Sequence, residues 1–120
     1  MNSNELRIGS LIKYKDKVCT IKNINGTDNT VYMKYSNEYF CSAKIEELEP
    51  IEIDIILLCD AGFDEEFPGY FKYETDKYVY IISMRPDNWE IIIKEDNCTL
   101  AFATINYYHQ LQMICGIYED

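Results

Sequence analysis

A single histidine, His109, lies in the stretch NYYHQLQMIC that runs from Asn106 to Cys115. Gln112 follows it by three residues. On a helix those two positions share a face, so the ring and the amide would project together, beside the apolar stripe. Such a pair could recognise a partner, and an imidazole could serve as a general base. A base needs a nucleophile or an orienting carboxylate, and no local motif supplies either. A metal would need two or three more ligands, and there is no second histidine. We therefore read His109 and Gln112 first as groups that seat a helix by bonding to a loop or strand carbonyl. Partner recognition by this pair is the alternative, and a small enzyme using His109 is the third reading.

The next chemistry-bearing stretch is Asp64-Glu65-Glu66, with Asp60 one turn earlier. Clustered carboxylates can hold a hard cation. This cluster lacks the alternating Asp/Asn ligands and internal Gly of a calcium loop. It reads as a solvated acidic loop, and as a surface that meets a partner of opposite charge. Phosphate-loop, dinucleotide, nucleophile-elbow and zinc-protease motifs are all missing from the sequence, so no cofactor and no metal is expected. Pairs of carboxylates for glycoside hydrolysis cannot be argued from spacing.

Tyr14, Tyr32, Tyr35 and Tyr39 interleave with Lys13, Lys15, Lys17, Lys22 and Lys34. Small barrels bind single strands with aromatics for stacking and lysines for phosphates. Tyr14, Tyr32, Tyr35 and Lys34 are thus the candidate residues for an alternative function, single-stranded nucleic-acid binding. Tyrosine is also common on strands because it packs well there.

Charge weighs against nucleic acid. The net charge is −10. Residues 1–50 carry seven basic and seven acidic side chains, whereas residues 51–120 carry four and fourteen. A polyanion is repelled by the second half, and a basic protein surface is attracted to it. Five cysteines at 19, 41, 59, 98 and 115 form neither a disulfide framework nor a CxxC pair, and each reads as a small buried hydrophobe. No apolar run reaches the length that spans a bilayer, and the start has no secretion pattern. These features point to a cytoplasmic protein with no membrane association.

The elements that must position these groups follow from periodicity. Ile8–Tyr14, Val18–Ile24, Thr30–Tyr35 and Glu38–Ser42 read as short strands. Lys15-Asp16-Lys17 and Asn25–Asn29 supply turns. Pro50 marks a connector. Asp54 caps a short buried helix, Ile55 to Ala61, which Gly62 ends. Tyr70–Glu74, Lys77–Met84, Asn88–Lys94 and Thr99–Thr104 read as a second meander, with Trp89, Ile91 and Ile93 on one face. Ile105, Tyr108, Leu111, Cys115 and Tyr118 give the apolar stripe of a last helix.

The expected fold class is α+β: an N-terminal SH3-like small barrel or curled antiparallel sheet (1–50), then a short buried helix, a second antiparallel sheet and a C-terminal helix packed on it (51–120). The two lobes are expected to pack as one compact unit.

Three stretches carry a resemblance: NELRIGSLIKYKDKVCTIKNI, EPIEIDIILLCDAGF and YYHQLQMICGIYED. Together they resemble a family of small uncharacterised proteins of Bacteroidetes and their phages, with an LRIGN-like start and a YxHQLQ-like C-terminal helix. Ser10 stands where that family commonly has Asn, Asp16 where it has a turn Gly, and Asp54 where it has a capping Thr. Tyr108 departs from the usual Val, while His109, Gln110, Leu111 and Gln112 fit. The resemblance spans nearly the whole chain. It implies the architecture above and a mobile-element or commensal-bacterium setting. It implies no activity and transfers no site residue. With the acidic second half, it makes a host protein with a basic surface the expected partner. The expected function is a non-enzymatic interaction module.

Overall fold

The computed structural model describes residues 5–36 and 39–118. In chain order the elements are β1 (Leu11–Tyr14), β2 (Lys17–Asn25), β3 (Thr30–Ser36), β4 (Tyr39–Lys44), α1 (Ile55–Asp60), β5 (Asp64–Phe67), β6 (Tyr70–Glu74), β7 (Val79–Met84), β8 (Trp89–Glu95), β9 (Cys98–Ile105) and α2 (Tyr108–Cys115). The fold is α+β, with two antiparallel sheets of four and five strands. The expected start of the fourth strand, Glu38, lies outside the described residues. The chain groups into two compact units. One is Met1–Glu52 with Tyr107–Asp120, and the other is Ile53–Asn106.

In the first unit β1 to β4 form a meander in chain order. Lys15 and Asp16 both take positive φ, 49° and 65°, the geometry of a two-residue hairpin turn that matches strand twist. In the longer β2–β3 turn the Asn25 side chain accepts from Thr27 N and Asp28 N, at 3.1 and 3.3 Å. The left-handed residue there is Asn29 rather than Gly26. Val31 and Met33 are buried while Tyr32 is exposed, as a two-residue period requires. Leu6, Ile12, Cys19, Ile21, Met33 and Ile45 lie at the centre of this core.

The last helix belongs to this unit. Tyr108 N donates to Ile51 O at 2.8 Å, and Glu52 forms a bridge with Tyr107. The sequence reading seats α2 on the second sheet and assigns 51–120 to one lobe. The structure instead joins it to β1, because the amide of Gln112 pairs with the β1 backbone (below). The helix is also shorter than its apolar stripe. It starts at Tyr108 and ends where Gly116, at φ 70°, adopts the left-handed cap.

In the second unit Asp54 caps α1 by accepting from Leu57 N at 2.8 Å. Gly62 follows at φ 102°, where an added Cβ would meet the Tyr73 ring at 3.4 Å. The helix is not buried as expected: Leu58 is inside, but Ile55 and Ile56 are exposed. The five strands β5 to β9 also run in chain order. Phe71, Ile82 and Ile91 are in register across β6, β7 and β8 and are fully buried. Trp89 joins them on that face at 6.1 Å from Phe71. Asp96 and Asn97 make the β8–β9 turn with φ 51° and 67°.

The acidic run Asp64–Glu66 is not a loop. It is part of β5, paired with β6 through Asp64↔Lys72 and Glu65↔Phe71. An edge strand tolerates a charged sequence because one side of it stays in water.

Candidate functional site

His109 and Gln112 sit one turn apart on α2, and both are buried. Their surroundings differ. Gln112 is fully bonded: Oε1 accepts from Leu11 N at 2.8 Å, and Nε2 donates to Gly9 O at 3.2 Å and Ile117 O at 3.1 Å. It holds α2 against the start of β1 and the segment before it. That geometry suits a helix-seating role, and it leaves no amide atom of Gln112 on the surface for a partner.

His109 has the opposite character. Among the described residues, neither ring nitrogen has a hydrogen-bond partner. The ring lies parallel to Tyr107, with centroids 6.1 Å apart, and lines a hollow of about 190 Å³ with Glu5, Pro50, Tyr107 and Gln110. Burial lowers its pKa, with the Glu5 carboxylate opposing, which favours the neutral ring. A general base of the usual kind is oriented by a hydrogen-bonded carboxylate, and no such bond is made among the described residues. Within this pair, the hydrogen bonds that seat the helix come from Gln112.

The acidic residues are brought to a more suggestive place. All four residues of β5 are exposed. Glu65 turns back to accept from Gly69 N at 3.2 Å. Glu66 sits at a register shift and lines a hollow of about 450 Å³ with Phe67, Tyr70, Phe71, Lys72 and Ile81. Phe67 is 69 % exposed and meets Tyr70 edge-on at 6.4 Å. Apolar ring surface thus adjoins the Glu66 carboxylate. The carboxylates are legible in the sequence as a charged run, whereas nothing in it marks Phe67, Tyr70 and Ile81. Their apolar types gave no sign that Phe67 and Tyr70 would be exposed and Ile81 only half-buried.

The four first-half candidates divide between two faces. Tyr32 is exposed and stacks on Phe40, centroids 5.4 Å apart and planes within 2°. Lys34 pairs in register with Phe40. Tyr14 and Tyr35 instead pack against the buried core, and Lys17 lies over the Tyr35 ring at 4.5 Å. Phe40 was not among the expected residues. Its partnership with Tyr32 depends on strand register, which the spacing alone does not fix.

All five cysteines are free. Burial pushes the Cys115 thiol up to about 12, and burial followed by the neighbouring Cys41 raises that of Cys19. Cys59 and Cys98 are exposed, unlike the buried setting expected of them. Among the described residues no cluster of His, Cys, Asp or Glu is placed to hold a metal, and no helix is long and apolar enough to cross a membrane. No family model, curated protein or solved structure matches this chain.

Proposed function

We propose that this chain is a non-enzymatic cytoplasmic interaction module that binds a protein partner through β5 and the hollow beside it. One observation carries the reading. Glu66 of the exposed strand β5 lines a hollow with Phe67 and Tyr70, so a carboxylate and apolar ring area meet on one surface. Protein interfaces combine these two parts, an apolar anchor pocket and a charged rim. The partner is a protein with a basic surface and a protruding apolar side chain. The mobile-element resemblance makes a host protein the natural source.

Charge favours this reading beyond the strip itself. Residues 53–106 hold eleven acidic against four basic side chains. Two of those four are already paired, Lys72 with Glu74 at 2.8 Å and Arg85 with Glu90 at 3.3 Å. The test uses lysine-rich peptides with and without one central aromatic residue, followed by fluorescence anisotropy. The aromatic peptide should bind more tightly, lose affinity in salt, and lose it again on Phe67→Ala. Affinity indifferent to salt and to Phe67 would refute the reading.

A second reading is supported by the stacked Tyr32–Phe40 pair with Lys34 beside it. If the first sheet is an SH3-like barrel, that outer face could stack bases of a single strand. A labelled oligothymidine would then bind, and Tyr32→Ala or Phe40→Ala would abolish binding. The net charge of −10 ranks this reading second.

A further inference from the structure

The edge of a sheet presents backbone N–H and C=O groups that water or another strand must satisfy. The two sheets have four edges, β1, β4, β5 and β9. Three of them carry a feature that opposes pairing. On β1 the backbone of Lys13 is already bonded to that of Glu49: Lys13 N donates to Glu49 O at 2.9 Å, and Glu49 N donates to Lys13 O at 2.8 Å. β4 carries Lys44. β5 carries Asp64, Glu65 and Glu66 and is interrupted by a register shift. β9 differs. Among the described residues its backbone pairs only with β8. None of its eight residues is charged, and Leu100 and Phe102 on it are exposed. We propose that two copies of this chain pair β9 against β9, antiparallel and about a two-fold axis, so that two five-stranded sheets become one.

Charge and closure select the occupant. A strand with no charged side chain has nothing to attract a charged partner, and the identical strand meets it without a like-charge contact. Pairing β9 with β5 of another copy would place Asp64, Glu65 and Glu66 beside an edge that offers no cation. It would also leave a free β9 on the last copy added, giving an open chain. The two-fold pair closes at two copies, because both ends of the joined sheet are then β5, where carboxylates would face carboxylates. The bulge opposite Ile93 and Lys94 leaves Leu100 without a partner on β8, so the regular part of the edge is residues 101–105. A pairing this short makes a small interface, and small interfaces dissociate on dilution. Each copy carries a net charge of −10, which opposes association. Salt therefore strengthens this contact, the reverse of its effect at the β5 surface.

The pairing is independent of partner binding at β5, and the test keeps the two apart. The full chain is followed by sedimentation equilibrium as its concentration rises, with amide hydrogen exchange in parallel. Its mass should climb from one chain toward two and no further, and added salt should lower the apparent Kd. Alternate amides of an edge strand point away from the sheet. Those amides within residues 101–105 should exchange at least about tenfold more slowly in the dimer. Phe102→Lys puts a charge on the edge and should give a folded monomer, whereas Phe67→Lys on β5 should leave the dimer intact. The wild-type exchange pattern decides the matter even where a variant does not fold. A chain that stays monomeric at every concentration, or assembles beyond two copies, would overturn the proposal. So would a dimer with unprotected β9 amides, one that salt loosens, or one that survives Phe102→Lys. Protection of those amides only when another protein is added would assign the edge to a foreign strand, and would overturn it too.

Discussion

Titration of a buried imidazole is felt by the whole fold. Burial holds the pKa of His109 below its ordinary value near 6.5. Between those two pH values the unfolded chain takes up a proton and the folded chain does not. Stability should therefore be complete above about pH 6.5 and fall as the pH drops toward the folded value. Urea denaturation across this range should show that step in the wild type and its loss in His109→Leu. The neighbouring Gln112 should behave differently. Gln112→Ala leaves the Leu11 N–H and Gly9 carbonyl without their partner, and should cost about 2–4 kcal/mol at every pH. The i, i+3 spacing made it legible that the two residues share a face. It could not reveal that one would be fully bonded and the other bare. That depends on which backbone atoms of a segment a hundred residues away arrive beside them.

At the scale of elements, the strands with alternating burial and the turns built on Lys15-Asp16 and Asp96-Asn97 were readable from the sequence. Their periodicity and turn chemistry are local. β5 was not, because an edge strand of Asp, Glu, Glu and Phe has no apolar face to alternate. The docking of α2 was also hidden: an apolar stripe says that a helix packs, not on which sheet. The opposite edge of the second sheet leads to a prediction. β9 has no charged residue, and Leu100 and Phe102 are 54 % and 75 % exposed. Uncharged, apolar edges pair with other chains. Phe102→Lys should lower concentration-dependent light scattering while leaving stability within about 0.5 kcal/mol.

For the whole molecule, the uneven charge is the property most fully written in the sequence, since it needs only counting. The structure adds that Asp64, Glu65 and Glu66 lie on one exposed strand and that Glu66 lines a hollow with Phe67 and Tyr70. Reversing those three charges should cost little stability, because none of the three is buried and the Glu65–Gly69 hydrogen bond is exposed, and should remove attraction to basic proteins. The most direct test is capture from nuclease-treated bacterial lysate by wild type and by the Asp64→Lys, Glu65→Lys, Glu66→Lys variant. Each would be run at about 0.1 M and about 1 M salt, where the screening length falls from about 10 to about 3 Å. The account predicts a protein held by the wild type at low salt, released at high salt and not held by the variant. Equal capture by the variant, or a bound species that disappears with nuclease, would contradict it.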